Sequence, residues 1–201
     1  MSRWYPARAV AKRTSPDVTT APRVLFLDRD GVVIEDRHYV RDPGQVRLIP
    51  GAAAAMRRAR AAGYFLIGVS NQSGIGRGLY SLADFQAVHE RVDALLARDG
   101  ADFDAFFYCP HGPEVDCHCR KPRPGLLQEA REVVPWQAAN SWLVGDKLAD
   151  MELALSQGLG AILVTTGQGC EERQRLPAGW PVRVVDDLEA AVSVILAGEP
   201  A

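Results

Sequence analysis

Two carboxylates stand two residues apart where an apolar run stops. Residues 24–27 read as a buried strand, and Asp28, Asp30 and Gly31 follow directly. At a period of two, both acidic side chains lean to the same side. One acid could then attack as a nucleophile while the other moves a proton. The D-x-D pattern alone is equally compatible with a solvated loop or a simple metal site.

Further polar stretches, placed after or between apolar runs, favour a catalytic site. These are Ser-Asn-Gln-Ser-Gly at 70–74, Arg-Lys-Pro at 120–122, and Gly-Asp-Lys at 145–147 with Asp150 one helical turn later. In open α/β sheets, ligands bind outside the carboxyl ends of the strands. We therefore expect these stretches to meet Asp28 and Asp30 at one site.

Cysteine and histidine are concentrated in one short segment, at Cys109, His111, Cys117 and Cys119. Three thiolates and an imidazole form a suitable ligand set for a closed structural Zn²⁺ site. The cytosolic location predicted below argues against disulfides, and a disulfide within a C-x-C pair would also be strained. The alternative interpretation is a set of unligated thiols. We expect His118 to be exposed and not a ligand, and Cys170 to be an isolated cysteine.

The motifs resemble, in order, those of the haloacid dehalogenase superfamily of phosphohydrolases. The matching positions are Asp28/Asp30, Ser70, Lys121 and Asp146/Asp150. The segments FLDRDGVV, SNQSGIGRG, CRKP and GDKLADM are similar to those of the D-glycero-D-manno-heptose 1,7-bisphosphate 7-phosphatases. The resemblance implies removal of the 7-phosphate in nucleotide-activated heptose biosynthesis, through an aspartyl-phosphate intermediate. The alternatives are a histidinol-phosphate phosphatase and, from another class, a non-catalytic zinc-stabilised binding module.

The resemblance also implies catalytic roles. Asp28 is the nucleophile, Asp30 is the general acid and then the base, and Ser70 and Lys121 hold the transferring phosphoryl group. Mg²⁺, a hard ion that takes oxygen ligands, is assigned to the Asp28 carboxylate, the Asp30 main-chain carbonyl and the Asp146 carboxylate. In the alternative chemistry, both acids of the D-x-D pair bind metal and a metal-bound water attacks. We expect Asp150 to orient a metal-bound water or Lys147, and not to bind the metal directly.

Candidate substrate contacts lie in a loop, in the second motif and at two cations. They are Asp36, Arg37, His38 and Tyr39; Asn71, Gln72 and Ser73; and Arg120 and Lys147. A bisphosphate carries a second anionic group, which arginine can bind through two hydrogen bonds. Because Cys119 directly precedes Arg120 and Lys121, a zinc-bound loop would fix where both cations point.

The elements that must position these residues alternate between strands and helices. Strands are expected at 24–27, 64–69, 103–108, 141–144, 161–164 and 182–185, and helices at 50–62, 82–98, 125–133, 148–157 and 188–196. This alternation predicts an α/β fold with a three-layer, Rossmann-like parallel sheet and helices on both faces. No segment is long enough for a separate cap domain, so loops must cover the site.

Length and composition set the remaining expectations. The 201 residues suit one catalytic domain at 23–201, preceded by a basic, proline-punctuated arm at 1–22 that is either flexible or a transit peptide. A net charge of −2 argues against a nucleic-acid partner. No apolar stretch approaches the roughly 20 residues that span a bilayer. We expect a cytoplasmic monomer that acts on a small phosphorylated sugar.

Overall fold

A seven-stranded sheet forms the centre of the molecule, with the strands in the order β1-β4-β3-β2-β5-β6-β7. The computed structural model describes residues 3–5 and 22–198. The strands are β1 (Arg3–Tyr5), β2 (Val24–Leu27), β3 (Phe65–Asn71), β4 (Ala105–Cys109), β5 (Trp142–Gly145), β6 (Gly160–Val164) and β7 (Val182–Val185). From β2 to β7 all pairings are parallel, as the alternation of elements predicts.

The edge strand β1 is the exception, because it pairs antiparallel with β4. The sequence analysis did not predict it, since residues 3–5 fall within the segment assigned to the arm. Residues 1–2 and 6–21 lie outside the described part of the chain, so the flexibility of the arm stays a prediction.

Seven α-helices connect or follow the strands in the described ranges. They are α1 (Ala52–Ala61), α2 (Ser73–Gly76), α3 (Leu82–Ala97), α4 (Gly125–Val133), α5 (Leu148–Ser156), α6 (Gly169–Glu172) and α7 (Leu188–Leu196). Ser81 caps α3 as predicted: its hydroxyl accepts from the backbone N–H of Asp84, whose carboxylate accepts from the N–H of Ser81. None of the described helices has the length and apolar character that a membrane crossing requires.

Side chains of the central strand alternate between two cores. Leu25 and Leu27 lie in a core shared with α1, α3 and α7, and Val24 and Phe26 lie in a core shared with α4 and α5. Strands buried on both faces are continuously apolar, which explains the sequence VLFL. The three-layer prediction is confirmed, and no separate cap domain occurs within residues 22–198.

The topology brings the motif residues to one edge of the sheet. The chain leaves β2 toward β3 and β4 on one side and later returns to β5 on the other, so the crevice opens beyond β2 and its neighbours. β3 extends two residues further than predicted, because Ser70 and Asn71 pair with Tyr108 and Cys109 of β4. The start of the cysteine segment therefore lies beside the second motif.

Candidate active site

Asp28 is the first residue after β2 and is held on several sides. Its backbone N–H donates to the carbonyl of Val144 on β5 at 3.0 Å. Its Oδ1 accepts from the backbone N–H of Arg29 at 2.8 Å, and its Oδ2 lies 3.2 Å from Nζ of Lys121. Burial raises the pKa of Asp28, but the charges of Lys121 and Lys147, together with the hydrogen bonds from Arg29 and Lys121, hold that pKa below its ordinary value. The carboxylate is therefore ionised at neutral pH, as a nucleophile must be.

Lys121 forms a buried bridge between two acids. Its Nζ lies 2.6 Å from Oδ1 of Asp150 and 3.2 Å from Oδ2 of Asp28, and it donates to the carbonyl of Val69 at 2.8 Å. Burial alone would lower the pKa of Lys121, but the two carboxylates raise it, so the ammonium stays charged. The sequence analysis expected Asp150 to orient a metal-bound water or Lys147. The Asp150 side chain pairs with Lys121, and from Lys147 only the backbone N–H reaches the Asp150 carboxylate, at 3.3 Å.

Asp146 follows β5 and is fully buried. Its Oδ2 accepts from the backbone N–H of Gln168 at 2.9 Å, and its Oδ1 lies 3.3 Å from Nζ of Lys147. Two glycines with positive φ, Gly31 at +87° and Gly167 at +58°, make room for it. A Cβ atom on either glycine would come within 2.2 Å or 2.3 Å of Oδ2, respectively. Any residue larger than glycine at position 31 or 167 would therefore collide with this carboxylate.

The donor set of Asp28, Asp146 and Asp150 fits a hard divalent cation. One oxygen from each carboxylate can be chosen so that all lie within 4.8 Å of one another, and all three residues are buried. Burial raises the pKa of Asp146 to about 7 despite Lys147, and the neighbouring charges of Asp28 and Asp150 add to that rise. Such a cluster of acids is stabilised by a cation, and oxygen ligands are those that Mg²⁺ prefers.

Asp30 is clamped by its neighbour Arg29. Nη2 of Arg29 donates to Oδ1 at 3.1 Å and to Oδ2 at 2.9 Å, and Nε donates to Oδ2 at 3.2 Å. Nε2 of Gln72 adds a fourth hydrogen bond, at 2.7 Å. Arg29 is only 2% exposed. We gave it no role from the sequence, although its position between the two acids of the D-x-D motif could have pointed to one.

The amide of Asn71, which we expect to contact a substrate, is hydrogen-bonded to the main chain of Lys121. Its Oδ1 accepts from the Lys121 N–H at 3.0 Å, and its Nδ2 donates to the Lys121 carbonyl at 3.1 Å. Ser70 is buried, lines the cleft and accepts from Nε2 of Gln72 at 2.9 Å. The second motif therefore contributes one hydroxyl at the cleft and one amide that fixes the third motif.

Of the four residues in the expected substrate loop, Arg37 alone is absent from the lining of the cleft. Asp36, His38 and Tyr39 line the cleft, whereas Arg37 lies outside the lining and pairs with Glu35 at the surface. His38 and Tyr39 adopt positive φ values of 50° and 60°, which non-glycine residues seldom take. A substrate contact from Arg37 would require a different conformation of this loop.

A cleft of about 250 Å³ joins these groups. Most of the predicted catalytic and substrate-binding residues line it, namely Asp28, Asp30, Asp36, His38, Tyr39, Ser70, Asn71, Gln72, Ser73, Arg120, Lys121 and Lys147. The lining residues to which we had given no role include Arg29, Tyr80 and Gln168. Gln168 lies in the loop after β6, so its position after a strand, the signal used for the other site residues, could have pointed to it. No sequence pattern singles out Tyr80.

The cysteine segment forms a compact cluster. One ligand atom from each of Cys109, His111, Cys117 and Cys119 lies within 4.8 Å of the others. Nδ1 of His111 is 3.5 Å from Sγ of Cys109 and 3.4 Å from Sγ of Cys119. The cysteines are free, so no disulfide competes for the thiols, and the donor set fits Zn²⁺. As expected, His118 is exposed, at 64% of its side chain, and is not part of the cluster, and Cys170 is an exposed free thiol.

Comparison with known proteins gives consistent relatives over most of the chain. The D-glycero-beta-D-manno-heptose-1,7-bisphosphate 7-phosphatase of Salmonella typhi is 39% identical over 176 residues, covering 84% of this chain and 94% of its own. The enzyme of the same name from Pseudomonas putida is 40% identical over 171 residues, covering 84% and 96%. The chain belongs to this phosphatase family. A family model described as HAD-hydrolase-like also matches residues 118–191.

The family fold is also seen in a solved structure. The D,D-heptose 1,7-bisphosphate phosphatase of B. bronchiseptica, crystallised with magnesium and phosphate, is 36% identical and superposes with a TM-score of 0.81. It covers 88% of this chain and 99% of its own. The resemblance drawn from the motifs is thereby confirmed, together with the haloacid dehalogenase-like fold. The part of the chain that matches the HAD-hydrolase-like family model includes Lys121, Asp146 and Asp150.

Proposed function

We propose that this phosphatase removes the 7-phosphate of D-glycero-D-manno-heptose 1,7-bisphosphate, in nucleotide-activated heptose biosynthesis. The single observation that carries the proposal is the arrangement of Asp28 and Asp30 at the end of β2, with Lys121 3.2 Å from the Asp28 carboxylate in the same cleft. Relatives at 39% and 40% identity that are named for this reaction supply the substrate.

The reaction proceeds in two steps. In the first, an oxygen of Asp28 bonds to phosphorus while the bond from phosphorus to the sugar oxygen breaks, and Asp30 gives its proton to that oxygen. In the second, water attacks the aspartyl-phosphate, Asp30 takes the proton of that water, and inorganic phosphate leaves Asp28. Lys121 and Ser70 neutralise and orient the transferring oxygens.

Mg²⁺ would be held by Asp28 and Asp146, with the Asp30 main-chain carbonyl as the further protein ligand assigned from the sequence. When bound, the ion offsets the negative charge that the carboxylates and the phosphoryl group bring together. Asp150, paired with Lys121, stays outside this ligand set in the proposal. Zn²⁺ at Cys109, His111, Cys117 and Cys119 would be purely structural.

The second phosphate of the substrate needs its own cations. Arg120 and Lys147 line the cleft, and Arg120 is half-buried, with Nη1 3.5 Å from the carbonyl of His111. Asp36, His38 and Tyr39 border the remaining wall and are assigned to the sugar. The proposal further takes residues 23–201 as one catalytic domain that acts as a cytoplasmic monomer, with residues 1–22 as an arm.

A phosphate-release assay with purified protein tests the proposal. The substrates are both anomers of heptose 1,7-bisphosphate, fructose 1,6-bisphosphate and histidinol phosphate, each with and without Mg²⁺. We expect the highest kcat/KM for a heptose bisphosphate, and no turnover by Asp28→Asn, because the amide is nearly isosteric but cannot attack phosphorus. A preference for histidinol phosphate would contradict the substrate. Normal turnover by Asp28→Asn would show that a metal-bound water is the nucleophile.

A further inference from the structure

The side chain of Gln72 has no hydrogen-bonding capacity left for a substrate. Its Nε2 donates to Oδ2 of Asp30 at 2.7 Å and to Oγ of Ser70 at 2.9 Å. Its Oε1 accepts from the hydroxyl of Tyr80 at 2.7 Å and from Nη2 of Arg29 at 3.2 Å. A primary amide offers two N–H groups and two lone pairs, so all four are used by the protein. Gln72 was predicted as a substrate contact, but these bonds make it a support for Asp30 and Ser70.

Arg29 fixes which way that amide faces, and Tyr80 adds a second hydrogen bond to the same amide oxygen. The Tyr80 hydroxyl donates to the amide oxygen, and the Arg29 guanidinium, which can only donate, faces the same oxygen. The NH₂ group must then point at Asp30 and Ser70. Burial raises the pKa of Tyr80 well above its ordinary value, so the hydroxyl remains a neutral donor at every pH at which the protein would work.

The fold provides a fitted place for the Tyr80 ring. The residue is 7% exposed, and a Cβ atom at Gly74 would lie 2.1 Å from its Cε1 atom. Only glycine at position 74 leaves room for the ring. On the other side, Tyr80 directly precedes Ser81, whose capping box anchors the start of α3. Ring and backbone are therefore both fixed, which a hydrogen bond needs if it is to orient a partner.

We propose that Tyr80 is a positioning residue for proton transfer, whose hydroxyl acts through Gln72 to hold Asp30 in place. The inference rests on the proposed function, in which Asp30 protonates the departing oxygen. It assigns a role to a residue that lies outside every motif stretch recognised from the sequence.

The test uses Tyr80→Phe, which removes only the hydroxyl, and two esters of similar shape. Phenyl phosphate has a poor leaving group that needs a proton, whereas p-nitrophenyl phosphate has a good one that departs without it. We expect kcat/KM for phenyl phosphate to fall about three- to tenfold, and kcat/KM for p-nitrophenyl phosphate to change by less than about twofold. A purely structural role would lower both values together.

Two further variants show whether the effect passes through Gln72. In a Gln72→Leu background, Tyr80→Phe should change kcat/KM for phenyl phosphate by less than about twofold, because the route is already broken. Tyr64→Phe removes the hydroxyl of another buried tyrosine, at the opposite end of β3, and should leave both esters unchanged. Melting temperatures are measured for all variants, and if Gln72→Leu does not fold, the two-ester comparison decides alone.

The outcomes separate this inference from the proposed function. Equal losses on both esters, or no loss on either, would overturn the role of Tyr80 while wild-type activity upholds the phosphatase chemistry. Independent losses that multiply in the double variant would overturn the route through Gln72. A wild-type protein that hydrolyses no phosphomonoester in the presence of Mg²⁺ would instead contradict the proposed function itself.

Discussion

A single ammonium group joins the third motif to the first and the fourth. Nζ of Lys121 lies between the carboxylates of Asp28 and Asp150, and both Lys121 and Asp150 have side chains that are at most 2% exposed. Attraction between buried charges is strong, but each partner has lost its hydration. Removing the ammonium group would leave two buried carboxylates without their countercharge.

Lys121→Met is therefore expected to lose both stability and activity. Removing one partner of a buried ion pair costs about 3–5 kcal/mol, because the other charge is left uncompensated. Urea unfolding without Mg²⁺ measures the change in the free energy of unfolding. Lys147→Met is the control: its side chain is 33% exposed, so its loss should cost less stability. Equal stability of the two variants would show that Lys121 is not held as described.

At this scale the sequence predicted residue types better than residue partners. Asp28, Ser70 and Asp146 could be predicted because each follows an apolar run that had to be a buried strand. The partners of Asn71 and Asp150 could not, because both partner with Lys121, whose position depends on the path of the loop between β4 and α4. Tyr80 reaches Gln72 only through the loop that precedes α3, which no local pattern specifies.

At the level of elements, two loops hold the site together from opposite sides. The cysteine segment begins on the last residue of β4 and ends at Cys119, directly before Arg120 and Lys121. The loop that follows β6 reaches back to the first and fourth motifs. Thr166 donates to the carbonyl of Gly31 at 2.6 Å, and the backbone N–H of Gln168 donates to Asp146.

Zinc is expected to copurify at about one equivalent and to resist brief chelation, because four sulfur and nitrogen ligands close the site. Cys117→Ser should lower the zinc content and the melting temperature and raise KM for a bisphosphate, since Arg120 loses its fixed position. Cys170→Ser is the matched control, because this exposed cysteine lies outside the cluster. The measurements are metal analysis by mass spectrometry and thiol titration of the native protein. A protein without zinc whose cluster thiols react freely would contradict the site.

Gln168→Ala should weaken substrate binding without affecting Mg²⁺. The substitution removes the side-chain bond from Nε2 to Oδ2 of Asp36, 3.1 Å long, but keeps the backbone N–H that Asp146 accepts. One lost hydrogen bond of about 1 kcal/mol raises KM for the bisphosphate about fivefold. The concentration of Mg²⁺ for half-maximal activity should stay constant. Gln157→Ala is the control: this half-buried glutamine lies outside the cleft lining, so its loss should change neither value. A shift in the Mg²⁺ requirement with no change in KM would contradict the role given to the Gln168 side chain.

Predicted element boundaries were accurate where a local signal ends an element. The bounds of α4 and α7 are those expected, and Ser81 caps α3 as predicted. The bounds were less accurate where tertiary pairing decides, as at the end of β3, which continues through the polar residues Ser70 and Asn71 because β4 runs beside them. β1 could not be predicted because a short edge strand is defined by its partner β4.

For the molecule as a whole, the acidic cluster lowers the free energy of unfolding as the pH rises. Burial raises the pKa of Asp146 from 3.8 to about 7 in the absence of a cation. Between these values the folded protein keeps a proton that the unfolded chain has released. The free energy of unfolding must therefore fall as the pH rises through this window, and the loss persists above it. Asp28, whose pKa is lowered, acts in the opposite direction.

We therefore expect Asp146→Asn to stabilise the magnesium-free protein at pH 8 by at least about 1 kcal/mol, since one pKa unit corresponds to about 1.36 kcal/mol. At pH 4 the difference should nearly vanish, because the wild-type carboxyl is protonated in the folded state. Denaturant unfolding at both pH values gives the comparison. Adding Mg²⁺ at pH 8 should stabilise the wild type but not the variant, and equal stabilisation of both would exclude Asp146 as a ligand.

The two glycines beside Asp146 have a consequence for how this gene can vary. Neither Gly31 nor Gly167 carries a functional group, yet a methyl group on either would enter the space of the Asp146 carboxylate. In a library covering every codon, both positions should tolerate as few replacements as the catalytic acids. Selection at these two codons acts on the space that the Asp146 carboxylate occupies. A survey of tolerated alleles would therefore rank both glycines among the active-site residues, although they take no part in the chemistry.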